Sequence, residues 1–321
     1  MVDTHCGNNE ERNMVEAYRT GYLAVDDIHQ VFYACYGEEQ GKPIFVFHGG
    51  PGYGFSNDML EPFDLSEWNI VAIDQRGCGR SLPIGCIEKN RTDLLIEDIR
   101  EIANYLGIRR FSIKGESWGS TLALLFAEKY PEYVLSMILT GVFLGNSTGT
   151  LLGKYGGFED YYPEYWDEYI KLLPKGKRDR PYEAYFDYLI HGSDDEKQKY
   201  GRELIFLEIL MEMTKPDVKR ANRICDSLDC SNIAKIEAFY TINDFFIEKD
   251  FIERHVDQIR DIPITIVQGR HDLIVPIKSA WRLSQLLPKC NLFISELDGH
   301  SDTSQTTAKK LKEVAKHHLK Y

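Results

Sequence analysis

Gly115-Glu116-Ser117-Trp118-Gly119 is the stretch on which the fold turns. It follows Phe111-Ser112-Ile113-Lys114, a short apolar run that reads as a strand. It precedes residues 120–130, where Leu122, Leu125, Phe126 and Lys129 recur at helical spacing. A Gly-x-Ser-x-Gly pattern between a strand and a helix predicts a nucleophile elbow, a sharp turn that lifts the serine hydroxyl clear of the sheet edge. Side chains at 115 or 119 would collide across so tight a turn, which gives both glycines a steric reason.

The pattern extends outward on both sides. Residues 44–47 and 70–73 are continuous apolar runs, as expected of strands buried on both faces. The first runs into His48-Gly49-Gly50-Pro51-Gly52, a loop whose freed backbone N–H groups can face a ligand. The second runs into Asp74-Gln75-Arg76-Gly77-Cys78-Gly79-Arg80-Ser81, which lacks the Gly-Lys-Ser/Thr ending of a phosphate loop and reads as structural support. Thr92 is the expected N-cap of a helix through Leu106, with Leu95, Ile99, Ile102 and Leu106 as its buried stripe and Gly107 as its stop. Residues 134–139 read as another buried strand, and residues 21–36 as a hairpin turning at Asp26-Asp27. Residues 1–20 are a polar lead-in.

After Gly141 the character changes. Residues 142–253 are rich in Tyr, Phe, Asp, Glu and Lys, with helices expected at 163–173, 181–190, 197–213 and 231–247. The sheet pattern resumes with a strand at 262–268 ending in Gly269-Arg270-His271-Asp272, a helix at 279–287, a strand at 291–297 ending in Asp298-Gly299-His300-Ser301, and a helix at 307–319. Alternating buried strands and helices mean a mostly parallel central sheet flanked by helices. The expected organisation is a core domain from 1–141 and 254–321, with a helical cap domain inserted at 142–253.

The 321 residues are 43% hydrophobic, enough for one large core or two moderate ones. Lysine and arginine number 38 against 50 aspartates and glutamates, a net charge of −12 that argues against nucleic acid or anionic membrane as a partner. Seven scattered cysteines without Cys-x-x-Cys or zinc spacing suit free thiols in a reducing cytoplasm. The polar start Met1-Val2-Asp3-Thr4-His5 has no signal-peptide core, and no run reaches the length of a membrane span. The residues call for no metal or organic cofactor.

A serine hydroxyl needs a base in reach, and the base needs an orienting carboxylate. In an α/β-hydrolase the acid and the base follow late strands, in the order Ser, Asp, His. Asp272 and His300 each end a late strand downstream of Ser117. Asp74 is the alternative acid, on an earlier strand. His271 adjoins Asp272 but neighbours in sequence point apart, and His48 is placed to brace its own loop. His317 and His318 fall on a surface helix. The expected reaction is acyl transfer, with Ser117 as nucleophile, His300 as base, Asp272 as its partner, and the N–H groups of Trp118 and Gly50 holding the oxyanion. A binding protein on an inactive hydrolase scaffold is the non-enzymatic alternative.

Taken together, His-Gly-Gly-Pro-Gly, Asp-Gln-Arg-Gly-Cys-Gly-Arg-Ser and Ser-Trp-Gly-Ser, with Gly269–Asp272, Pro276 and Gly299–Ser301 in register, resemble the prolyl aminopeptidases (proline iminopeptidases), serine exopeptidases of the α/β-hydrolase fold. The resemblance covers nearly the whole chain. It implies release of an N-terminal residue, foremost proline, from peptides with a free N-terminus. In that family cap glutamates hold the substrate's α-amino group. By resemblance these are Glu237, in Ala234-Lys235-Ile236-Glu237-Ala238-Phe239-Tyr240, and Glu208, in Phe206-Leu207-Glu208. By themselves both read as solvated helix-face glutamates. Phe143 matches one pocket aromatic and Tyr155 a second. The chain departs from the family at Glu116, usually glycine, at Thr140, typically arginine, at Thr241, usually aromatic, and at Val275, often cysteine. These departures bear on strict preference for proline and leave open an esterase or amidase with another acyl substrate. Arg76 is the expected charge partner of Glu116.

Overall fold

A computed structural model describes residues 15–145, 157–300 and 305–317. Strands β1 (Arg19–Ala24) and β2 (Gln30–Gly37) form the expected hairpin, paired from Arg19 opposite Cys35 to Ala24 opposite Gln30. Asp26 closes its turn by accepting the N–H groups of Ile28 and His29 at 2.8 and 2.6 Å. Next come β3 (Lys42–Phe47), β4 (Trp68–Asp74), α1 (Thr92–Tyr105), β5 (Phe111–Glu116), α2 (Trp118–Lys129) and β6 (Val134–Thr140). Among the described residues seven α-helices follow before the next strand: α3 (Phe158–Tyr161), α4 (Pro163–Lys171), α5 (Pro181–His191), α6 (Asp194–Glu212), α7 (Val218–Asp226), α8 (Cys230–Ile242) and α9 (Phe251–His255). Then β7 (Ile264–Gly269), α10 (Lys278–Leu286), β8 (Cys290–Ser295) and α11 (Gln305–His317) complete the order.

The eight strands form one sheet in the order β1-β2-β4-β3-β5-β6-β7-β8. The block from β4 to β8 is parallel and β2 runs against it. The strands read as continuous apolar runs because both faces are covered. Alternation still decides which face each side chain meets. Phe45 and Phe47 of β3 join α1 and α2, whereas Ile44 and Val46 join Leu311 and Val314 of α11. Phe45 stacks on Phe111 with centroids 4.0 Å apart, and truncating Phe111 to alanine would cost about 3–5 kcal/mol. The parallel block brings the ends of β3, β5, β6, β7 and β8 side by side. The turns after them therefore gather along one edge of the sheet, where open α/β sheets hold ligands.

The helices between β6 and β7 have a core of their own, including Tyr169, Tyr185, Leu204, Leu207, Ile233 and Ala234. Helix α8 belongs to both cores, since Ile236 and Tyr240 join the sheet cluster while Ala234 and Ala238 join the helical one. Its Tyr240 hydroxyl donates to Asn90 Oδ1 at 2.8 Å, which seats α8 on the loops above the sheet.

Three local expectations change. Thr92 is the first helical residue of α1 rather than its N-cap, because Arg91 keeps an extended backbone there and the Thr92 hydroxyl turns to the Phe245 carbonyl. The helix expected over 231–247 ends at Ile242, where Asp244, Phe245 and Phe246 take positive φ and form a separate turn. Helix α7 is additional, and is capped by Asp217, whose side chain accepts the Arg220 N–H at 2.9 Å. Among the described residues no helix is long and apolar enough to cross a membrane.

Candidate active site

Ser117 sits between β5 and α2 with φ 53° and ψ −123°, a conformation that costs a non-glycine residue about 1–3 kcal/mol. The surroundings enforce it. A Cβ on Gly115 would lie 2.4 Å from the Gly119 carbonyl oxygen, and one on Gly119 would lie 2.1 Å from that of Phe47. The Ser117 N–H donates to the Thr140 carbonyl at 2.9 Å, tying the elbow to β6.

The glycine-rich loop after β3 packs on this turn, since a Cβ on Gly49 would fall 3.2 Å from Ser117 Cβ. Gln75 locks the two together. Its side chain accepts the Trp118 indole N–H at 2.8 Å and donates to the His48 carbonyl at 3.0 Å. Its backbone N–H donates to His48 Nε2 at 3.0 Å, so His48 carries its proton on Nδ1, facing the Gly49 carbonyl at 2.9 Å. Burial pushes the His48 imidazole down, which keeps it neutral in this bracing role. Trp118 opens α2, so its N–H has no intrahelical acceptor and lies at the positive end of the helix dipole.

Asp272 and His300 meet as expected, with His300 Nδ1 2.8 Å from Asp272 Oδ2. The carboxylate is held on every side. Oδ1 accepts the N–H groups of Ile274 and Val275 at 3.0 and 2.8 Å, and Oδ2 accepts Gln268 Nε2 at 2.7 Å. Burial alone would lower the His300 pKa. The Asp272 charge and hydrogen bond, then Glu212 and Glu116, outweigh it and bring the imidazole to about 9. Gly141 makes room for the ring, since a Cβ there would lie 2.7 Å from His300 Cε1. The competing residues are occupied elsewhere. Asp74 accepts the N–H groups of Phe55 and Arg80 and pairs with the Arg80 guanidinium, and His271 is exposed.

Ser117 and His300 line one cavity of about 670 Å³, together with Gly49, Gly50 and Phe143. Helix α6 brings Glu208 and Glu212 into it, and α8 brings Glu237 and Thr241. Glu208 is 8% exposed, accepts the Tyr53 hydroxyl at 3.3 Å and hydrogen-bonds Glu237. Two carboxyl groups can bond each other only through a shared proton. Burial and then the Glu237 charge push Glu208 well above the carboxylate range, and burial raises Glu237 as well. Among the described residues Glu237 Oε2 is sealed from solvent without a partner.

Glu116 also lines the cavity, but its partner is not Arg76. Arg76 Nε and Nη2 bind Asp98 at 2.6 and 2.7 Å, and Nη1 binds Asp26 at 2.6 Å. Glu116 instead takes Lys114 Nζ at 2.7 Å, a buried lysine two residues earlier on the same face of β5. The two-residue period of a strand puts these side chains together, while β3 lies between β5 and β4. Thr140, Val275 and Phe245 complete the wall beside the nucleophile. Tyr155 lies outside the described residues. Gln75, Gln268, Glu212 and Phe245 are additions to the set expected from sequence.

Residues 42–303 match the alpha/beta hydrolase fold family, and the chain belongs to that class. Solved structures carry the same architecture. An esterase from Exiguobacterium antarcticum, 17% identical, superposes with a TM-score of 0.63 over 94% of this chain and 99% of its own, a likeness of fold alone. Closer in sequence, the proline iminopeptidase of Neisseria meningitidis serogroup B is 36% identical over 287 residues, 89% of this chain and 91% of that one. The proline iminopeptidase of Arabidopsis thaliana is 35% identical over 291 residues, 89% of this chain and 76% of that one. The chain is a member of the proline iminopeptidase family.

Proposed function

We propose that the chain is a serine aminopeptidase that releases an N-terminal residue, foremost proline, from peptides. The observation that carries this reading is the buried Glu208–Glu237 pair in the same cavity as Ser117 and His300. Two carboxyl groups forced to share a proton are a poor arrangement when empty and a good one around a cation. A substrate ammonium displaces the proton and receives the negative charge it needs to leave water.

With the amine held there, the adjacent carbonyl meets Ser117. His300 takes the Ser117 proton as the hydroxyl attacks, and Asp272 holds the imidazole in the required tautomer. The N–H groups of Trp118 and Gly50 receive the oxyanion. His300 then hands its proton to the departing amine and activates water for deacylation. The ammonium also opposes the carboxylates that keep His300 protonated, so binding helps to free the base. Thr140, Thr241 and Val275 beside Phe143 make a first-residue pocket that is not confined to proline. The free thiols among the described cysteines suit a reducing cytoplasm.

The test is Glu237→Gln assayed on proline-naphthylamide and on p-nitrophenyl acetate. Loss of one charge around a buried ammonium predicts a fall of about 10²- to 10³-fold on the amide, with the ester changed less than about threefold. Parallel losses on both substrates would refute amine recognition by this pair.

A further inference from the structure

Beyond the site just described, α6, α7 and the loop before His300 border a second, open cavity of about 680 Å³. It adjoins the first, and the two share Glu212, Arg220 and Ile224 in their walls. Gly299, the neighbour of His300, lines the second cavity, and a Cβ there would lie 2.8 Å from the Glu212 carbonyl oxygen. The new space therefore opens on the His300 side of the nucleophile.

Resting on the aminopeptidase reading, we propose that this second cavity is a subsite for the C-terminal carboxylate of a short peptide substrate, formed by Lys215, Lys219 and Arg220. The direction of the chain follows from the chemistry. The free amine lies at Glu208 and Glu237, the scissile carbonyl at Ser117, and the leaving nitrogen takes its proton from His300. The remainder of the peptide then continues past His300 and Gly299.

The charges there lean the other way, with three cations in the wall against the carboxylates of Glu212 and Asp217. Lys215, Lys219 and Arg220 are exposed in the cavity wall, and none of them forms an ion pair with a carboxylate among the described residues. Asp217 is engaged in capping α7, and Glu212 stands at the junction of the two cavities. The N-terminal turn of α7 adds its partial positive charge. An acidic inner end and a basic outer end match a zwitterion, with ammonium and carboxylate at opposite ends of a short chain.

The experiment compares kcat/KM for Pro-Gly-Gly with a free carboxylate and for its C-terminal amide, with proline-naphthylamide as reference. Three exposed cations predict roughly a fivefold preference for the carboxylate form at low salt, carried in KM. The preference shrinks at high ionic strength and falls toward one in Lys215→Gln/Lys219→Gln/Arg220→Gln. Single Lys219→Gln, with a partial loss, serves if the triple variant does not fold. Equal constants in the wild type, or a preference that survives the substitutions, overturn the subsite. If proline-naphthylamide is not turned over at all, the aminopeptidase reading fails and the subsite falls with it. If it is turned over and the two peptides are equal, only the subsite fails.

Discussion

Replacing Glu212 by glutamine tests how the cavity sets its own base. His300 is raised from 6.5 to about 9. At 1.36 kcal/mol per unit this is about 3 kcal/mol in favour of imidazolium. At pH 7 only about 1% of the ring is then neutral and able to accept the Ser117 proton. Asp272 is the largest cause of the rise, with Glu212 next and Glu116 after it. A single carboxylate across a partly buried cavity contributes on the order of half a unit to one unit. Glu212→Gln should therefore move the midpoint from about 9 to about 8–8.5 and speed the reaction at pH 7 by about three- to tenfold, with the alkaline plateau unchanged. The assay is the rate of Ser117 labelling by a fluorophosphonate from pH 6 to 10, which contains no substrate amine to titrate alongside His300. A wild-type midpoint near 6.5, or a midpoint that Glu212→Gln leaves in place, would refute the reasoning.

Other perturbations read separate parts of the structure. Asp272→Asn keeps an acceptor for the N–H groups of Ile274 and Val275 but presents the wrong group to His300, so kcat should drop about 10³- to 10⁴-fold with little change in Tm. Gly141→Ala meets both a positive φ of 54° and His300 Cε1, and should lower kcat about 100-fold or more while costing about 1 kcal/mol or more of stability by denaturant titration. Glu128, buried in α2 with neither carboxyl oxygen partnered among the described residues, is raised by burial from 4.5 to about 9. The unfolded chain ionises near 4.5 and the folded chain only near 9, so folding loses stability as pH rises between them. Glu128→Gln, neutral throughout, should match wild type near pH 4.5 and exceed it by about 1–3 kcal/mol at pH 8 in urea unfolding.

Much of this was legible in the sequence, because the decisive signals are local. A buried strand, a glycine-flanked serine and an apolar helix fix the elbow within about twenty residues. Asp272 and His300 stand out on the loops that follow the late strands β7 and β8. The residues that sequence reasoning missed act across the fold. Gln75 and Gln268 reach partners on other elements, and nothing in their neighbourhood marks a buried amide as a clamp. Lys114 and Glu116 could have been paired from the two-residue period of β5, and Glu212 lies one helical turn from Glu208 on the same face. Helix α7 escaped because a nine-residue stretch in which five residues are charged or polar looks like loop. Its signals, Asp217 as cap and Ala221, Ile224 and Cys225 at helical spacing, are short.

The most direct measurement sets proline-naphthylamide against N-acetylprolyl-naphthylamide, with wild type and with Ser117→Ala. Amine recognition by buried carboxylates predicts a kcat/KM about 100-fold or more higher for the free amide, and no turnover of either by Ser117→Ala. Equal rates on the free and acetylated substrates, or turnover that survives the loss of the Ser117 hydroxyl, would contradict a serine aminopeptidase.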